Sequence, residues 1–383
     1  MERTRDIGEI ADFRLKMANA VRERGPMTVA AFMDVAQYDP ELGYYARSAR
    51  RSGRAGDFFT SVDVGPLFGE LLEIQLAEMA SILAPFFRLD LIEAGAGNGC
   101  LSADILRAAR TRDPGLYDRL RLHLVEASAE ARRAQPATLG DVAGSLASSS
   151  PAFPTSFEGL LVANELLDAL PVHQVVMRDD GLREVYVDIA DRNEGEFLTC
   201  EGPPSTPALA DYLSRLGVAL EPGWRVEINL RAVEWMHQAA RRLRRGFMIL
   251  IDYGHEASEL YSAAHAGGTL TCFRRHTTSR HAATRPSWLD CPGEQDLTTH
   301  VDFTSVRAAA EEEGLVPLGF MDQTYFLLGL LGRGQSFSPA RDSHPLKTLV
   351  MPGGLGSSHK VLILGKDVGK PSLCGCSFGQ RVT

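Results

Sequence analysis

Three glycines at alternate positions and two glutamates at strand ends carry the most readable chemistry in this chain. In "LIEAGAGNGCL", Gly95, Gly97 and Gly99 follow an apolar run from Phe87 to Ile92 and precede helix-compatible residues. That is the pattern of a strand entering a tight turn and then a helix. Such turns bind nucleotide-like cofactors. The dinucleotide fingerprint G-x-G-x-x-G asks for its third glycine one position later, where Cys100 stands. Glu93, just before the first glycine, would repel a pyrophosphate and favour a cationic ligand. S-adenosylmethionine carries an ammonium and a sulfonium and no phosphate, and the glycines let the backbone approach its methionine part. "LRLHLVEAS" reaches Glu126, placed to accept hydrogen bonds from two ribose hydroxyls. NAD has the same ribose, so Glu126 alone does not discriminate. Glu93, the early third glycine and Glu126 together favour S-adenosylmethionine over NAD, and over a turn whose glycines serve packing alone.

The elements that must position these groups alternate along the chain. "FRLDLIEAG" reads as a strand, "LSADILRAAR" as a helix, "LRLHLVEAS" as a strand, "GLLVANELLDALPV" as a strand and loop, "AVEWMHQAARRL" as a helix and "GFMILIDYG" as a strand. Near-continuous apolar strands alternating with helices indicate a mostly parallel sheet covered on both faces, an α/β fold of Rossmann-like type. The stretch from about 172 to 200 differs, with period-two segments separated by "DDG" and "NEG", and is expected to form an antiparallel β insertion. Ahead of the glycine turn, "MTVAAFMDVAQY" and "VGPLFGELLEIQLAEMASIL" have helical patterning. The expected organisation is a helical N-terminal segment with a cofactor lid over 1–80 and a Rossmann-like domain over 81–365. Substrate-side loops are placed at about 255–300, and a loose tail over 366–383.

Composition narrows the function. With 383 residues and 44% apolar content the chain can bury a large core, and a net charge of −9 makes nucleic acid an unexpected partner. Six scattered cysteines read as free thiols in a reducing compartment. No apolar run approaches a membrane span, and the start "MERTRDIGEIADF" has neither an apolar signal core nor a presequence character. A bacterial cytoplasmic location is expected first, a mitochondrial matrix location second. The ten histidines show no paired ligand spacing, so no metal is expected.

Five longer stretches carry a family resemblance: "YDPELGYY" (38–45), "GDFFTSVDVGPLFGELL" (56–72), "VANELLDALPVHQV" (162–175), "ILIDYGH" (249–255) and "EQDLTTHVDF" (294–303). In this order, over roughly residues 10 to 330, they closely resemble the MidA family. That family includes the mitochondrial complex I assembly factor with symmetric protein-arginine methyltransferase activity. The resemblance implies a class I, S-adenosylmethionine-dependent methyltransferase with a protein substrate, in the nearest case a respiratory complex I subunit. It does not extend to the basic, aromatic stretch between Arg274 and Gly293, nor to the C-terminal end.

With an arginine acceptor implied, "VANELLDALP" gains a reading. Ligands bind beyond the carboxyl ends of strands in such sheets, which is where Asn164, Glu165 and Asp168 are expected. Carboxylates meet a guanidinium fork bidentately, whereas the bland alternative for both is a helix cap or a structural ion pair. Asp252, at the end of "LIDYG", is expected to wall the same cleft. Gly56 and Asp57 in "GDFFTS" are expected to close over the cofactor's methionine end, although Asp57 is equally a natural N-cap. Two other functions stay open: methyl transfer to a small molecule, and a non-catalytic assembly factor on a methyltransferase scaffold.

Overall fold

A computed structural model describes residues 2–46, 60–83, 88–190, 196–274, 277–278, 286–333, 344–351 and 355–379. Among the described residues the main path of an eight-stranded central sheet has seven strands: β1 (Leu89–Ala94), β2 (Leu120–Val125), β3 (Leu146–Ser150), β4 (Phe157–Asn164), β5 (Leu243–His255), β6 (Val316–Asp322) and β7 (His359–Lys366), with the two-residue Val301–Asp302 pairing off that path to β5. Their spatial order is β3-β2-β1-β4-β5-β7-β6. Every pairing is parallel except those of β7, which runs antiparallel to both β5 and β6. The order reverses between β1 and β4, so the carboxyl ends of these two neighbours flank a topological switch point, where open α/β sheets bind ligands.

The sheet is covered on both faces, as its apolar strands require. Along β5, Phe247, Ile249 and Ile251 enter one core while Met248 and Leu250 enter the other, the two-residue alternation of a strand buried on both sides. The first core includes side chains from the helices Leu67–Ile82, Cys100–Arg112 and Gln323–Arg333. The second is closed by the helices Leu230–Arg242 and Phe303–Glu312.

The expected β insertion is a five-stranded antiparallel sheet of wider extent. His173–Arg178, Gly181–Ile189 and Phe197–Gly202 form consecutive antiparallel neighbours. Arg225–Ile228 adds beyond a helix, Ala208–Leu216, and Met27–Thr28 adds from the N-terminal segment. The helix Val29–Tyr38 is capped by Thr28 and buries Phe32 and Met33 against this sheet and Trp288. The N-terminal segment is thereby fixed to the insertion.

The tail after residue 365 is not loose over 367–379. Cys374 N–H donates to Glu78 at 2.8 Å and Gly375 N–H to Gln75 at 2.9 Å, with Leu373 and Cys374 buried in the first core. A Cβ on Gly375 would meet the Phe326 ring at 2.4 Å. The expected loose segment is instead held by buried Gln75 and half-buried Glu78 on the helix Leu67–Ile82. No helix among the described residues is long and apolar enough to cross a membrane.

Candidate active site

The glycine turn follows β1 as its sequence requires. Gly95, Gly97 and Gly99 have φ of 72°, 50° and 84°, and Cys100–Arg112 begins directly after Gly99. Side chains rarely adopt this left-handed region. At Gly95 the space is also tight: an added Cβ would stand 3.0 Å from Leu166 Cδ1, which would have to give way. That contact links the turn to the loop after β4.

Both strand-end glutamates lie at this turn. Glu126 accepts from Gly97 N–H and from Ser128 N–H, each at 2.7 Å, one on each carboxylate oxygen. It therefore holds the glycine turn to the helix Ala129–Leu139, and each oxygen keeps a second lone pair for a ribose hydroxyl. Burial raises its pKa. Glu93 is buried beneath the turn, where one oxygen accepts from Ser102 N–H at 3.1 Å and from the Ser102 hydroxyl. Burial pushes it up from 4.5 to about 7. Its carboxylate is thus anchored to the first turn of the helix, and is less strongly anionic than its sequence setting suggested.

Across the switch point, β4 ends in Asn164 and the chain turns sharply. Glu165 has φ of 49°, a left-handed backbone in a non-glycine residue, which costs energy and recurs at functional sites. Its Oε1 accepts from Ser61 N–H at 3.3 Å and from the Asn164 side-chain amide at 3.2 Å. The Asn164 Oδ1 is buried without a partner. Asp168 is buried close by, and its pKa is raised well above the ordinary value, first by burial and then by Asp252, Asp296 and Glu165.

Asp252 has a different role from the one expected. Its Oδ2 accepts from Leu166, Leu167 and Asp168 N–H at 3.1, 2.7 and 3.3 Å, and its Oδ1 from Tyr253 N–H at 2.8 Å. With both oxygens engaged by backbone donors and the side chain 1% exposed, it shapes the loop and does not line the cleft. Burial still lifts it from 3.8 to about 7. So Asn164, Glu165 and Asp168 stand together with Asp252 behind them, and Glu93, the glycines and Glu126 stand together beside them. Gly56 and Asp57 lie outside the described residues.

Three features escaped the sequence reading. His359, the first residue of β7, is fully buried and packs at a tilt against Tyr253 with ring centroids 3.8 Å apart. Its Nδ1 lies 2.8 Å from the Leu355 carbonyl. Its Nε2 is 3.4 Å from Glu165 Oε1, within ion-pair reach but not aligned as a hydrogen bond. Tyr38 and Tyr45 bring hydroxyls from the N-terminal segment: Tyr38 donates to the Ala169 carbonyl at 3.2 Å and Tyr45 to Asp296 Oδ1 at 2.8 Å. Burial, and after it neighbouring carboxylates, raise both phenols well above their ordinary pKa. Asp296 and both tyrosines lie in the quoted family motifs, but nothing local in the sequence aims them at Asp168.

A left-handed glycine turn and a strand-end glutamate at the switch point of a mostly parallel sheet have the arrangement of a Rossmann-like cofactor-binding fold. A family model described as S-adenosyl-L-methionine-dependent methyltransferases matches residues 71–321, and the chain belongs to that family, known as MidA. The mitochondrial protein arginine methyltransferase NDUFAF7 of Danio rerio is 28% identical over 89% of this chain and 83% of its own length. Its counterpart in Mus musculus is 30% identical over 80% and 71%. A superfamily relative from Burkholderia thailandensis, solved bound to S-adenosyl-homocysteine, is 27% identical, covers 98% of this chain and 97% of its own, and superposes with a TM-score of 0.87.

Proposed function

We propose that this enzyme methylates a guanidinium nitrogen of a protein arginine, forming symmetric dimethylarginine. Its target would be a respiratory complex I subunit, so that the modification supports assembly of that complex. The observation that carries the reading is the group of Glu165, Asp168 and the unpartnered Asn164 Oδ1 at the end of β4. Asp168 is a buried carboxyl whose pKa is raised by burial and by the carboxylates around it, and a bound cation would offset that repulsion. The names of the zebrafish and mouse relatives support arginine as the acceptor. The family resemblance supports the complex I subunit. The relatives are named mitochondrial, and the scattered free cysteines suit either a bacterial cytoplasm or a mitochondrial matrix.

In this reading the cofactor supplies an electrophilic methyl group, and the chain supplies position. Gly95, Gly97 and Gly99 allow close backbone approach, and Glu126 receives the ribose. Glu165 meets the guanidinium on its fork, as a carboxylate can, and holds the reacting nitrogen in line with the methyl. Asn164 Oδ1 accepts from another N–H of the same group. Asp252 holds the loop that carries these side chains. The attacking nitrogen must lose a proton after transfer, and His359 Nε2, behind Glu165, offers a lone pair on that path.

The test is incubation with methyl-labelled S-adenosylmethionine and a cell extract lacking the endogenous enzyme. Acid hydrolysis and peptide mapping of the labelled proteins follow. Label in symmetric dimethylarginine of a complex I subunit is the expected result. Label confined to a small molecule would replace the acceptor, and no transfer at all from intact, cofactor-binding protein would favour a scaffold.

A further inference from the structure

Three histidines far apart in the sequence meet beyond the carboxyl end of β5. His255 is the last residue of β5, and His265 ends the short 3-10 turn Ala263–His265. His300 precedes Val301–Asp302, which pairs parallel with Gly254–His255. Their ring centroids are 4.8 Å (255 to 265), 5.1 Å (255 to 300) and 5.7 Å (265 to 300) apart. One ring nitrogen from each lies within 4.8 Å of the other two.

The hydrogen bonds around them leave coordinating atoms available. His265 Nδ1 is 3.0 Å from the Glu259 carbonyl, which fixes the proton on that nitrogen and leaves a lone pair on Nε2. His255 Nδ1 is 3.0 Å from the Glu259 carboxylate, though not aligned as a hydrogen bond. A carboxylate behind a ligating imidazole is a recurrent support in metal sites. His300 Nδ1 is buried with no partner.

We propose that His255, His265 and His300 bind one divalent transition-metal ion, zinc fitting best, with water or the Glu259 carboxylate in the fourth position. Zinc takes three imidazoles and a fourth ligand tetrahedrally at about 2.0–2.1 Å. With the ion roughly 3.2 Å from each ring centre, that geometry puts the centroids about 5 Å apart, close to the spacing observed. Neutral imidazole is the coordinating form. Lys360 brings a positive charge near this group, and Asp322 pairs with it at 2.6 Å. A bound ion would clip the end of β5 to the segment before Val301. That segment reaches the acceptor loop, because Thr299 N–H donates to the Asp168 carbonyl at 3.0 Å. The ion would therefore stiffen one wall of the acceptor site from outside it.

The full chain, free of any polyhistidine tag, is stripped with chelator and titrated with zinc chloride by calorimetry. Bound zinc is counted by elemental analysis. The same preparation is titrated with cobalt chloride and read by visible absorption. One zinc per chain, a tetrahedral cobalt spectrum and a raised Tm on zinc binding are expected. Loss of a residue that merely supports a ligand costs about 10–100-fold in affinity, so His265→Ala and His300→Ala should bind zinc at least about tenfold more weakly. His265 is only half-buried, so its variant should fold even if that of His300 does not. Less than stoichiometric zinc on wild-type protein at micromolar concentrations would overturn the site. So would zinc affinity unchanged in a folded His265→Ala variant.

Discussion

The two sides of the switch point are furnished in opposite ways. After β1 and β2, the carboxylates are tied to backbone: Glu126 takes N–H groups from Gly97 and Ser128, and Glu93 takes that of Ser102. After β4, Asn164 Oδ1 has no partner, Glu165 sits on a strained backbone, and Asp168 is pushed up by burial and then by three neighbouring carboxylates. The first side is a preorganised receptor whose shape exists before its ligand arrives. The second crowds carboxyl groups around Asp168, where burial and mutual repulsion disfavour ionisation and a bound cation would favour it. Asp252 belongs to the first manner of construction but serves the second side.

Breaking that scaffold should have the largest effect. Asp252→Ala strands backbone N–H groups of the 166–168 loop, at about 1–3 kcal/mol for each one left buried and unsatisfied. A loss of about 3–5 kcal/mol in denaturant unfolding is expected, with transfer abolished. A stable variant with normal transfer would show that the loop holds itself.

The buried acid under the glycine turn gives a pH test of similar size. Glu93 goes from 4.5 to about 7 on folding, so the native state retains a proton that the unfolded chain has lost. Its contribution is complete below about pH 4.5 and disappears as the pH climbs through about 7, a difference of roughly 3 kcal/mol at most. Glu93→Gln keeps the acceptor and removes the titration. The variant's Tm advantage over wild type should therefore grow between pH 5 and 8. Parallel Tm profiles would mean that the acid is ionised throughout.

Glu126→Ala should weaken S-adenosylmethionine binding by about 1.5–3 kcal/mol for each lost hydrogen bond to the charged group. The chain should remain folded, since Gly95 and Ala96 N–H still bond to the Val125 carbonyl. Calorimetry on the folded variant checks this, and an unchanged Kd would turn Glu126 away from the ribose.

Local chemistry was legible and long-range chemistry was not. The glycine turn could be read because its three positive-φ positions are neighbours in the chain, and most central strands because their apolar runs are continuous. The strand Leu146–Ser150 reads "LASSS" and lies at the sheet edge, where half its residues need not be apolar. β6 and β7 follow regions with weak local signals, and with them went His359, whose meaning depends on Glu165 across the sheet. Asp252 was found, but its role was not, because its partners are backbone donors more than eighty residues away. The three histidines come together only when β5 pairs with Val301–Asp302.

The central claim is that Glu165 grips the acceptor and not the cofactor. Glu165→Gln preserves shape, removes the charge and turns an NH₂ toward the guanidinium's own donors. Cofactor affinity by calorimetry and labelled methyl transfer to the acceptor protein are measured on the same preparation. The account predicts an S-adenosylmethionine Kd close to that of wild type and a transfer rate reduced by about a hundredfold or more, the signature of an interaction made with the substrate in the transition state. Wild-type transfer by Glu165→Gln, or a loss of transfer fully explained by lost cofactor binding, would contradict it.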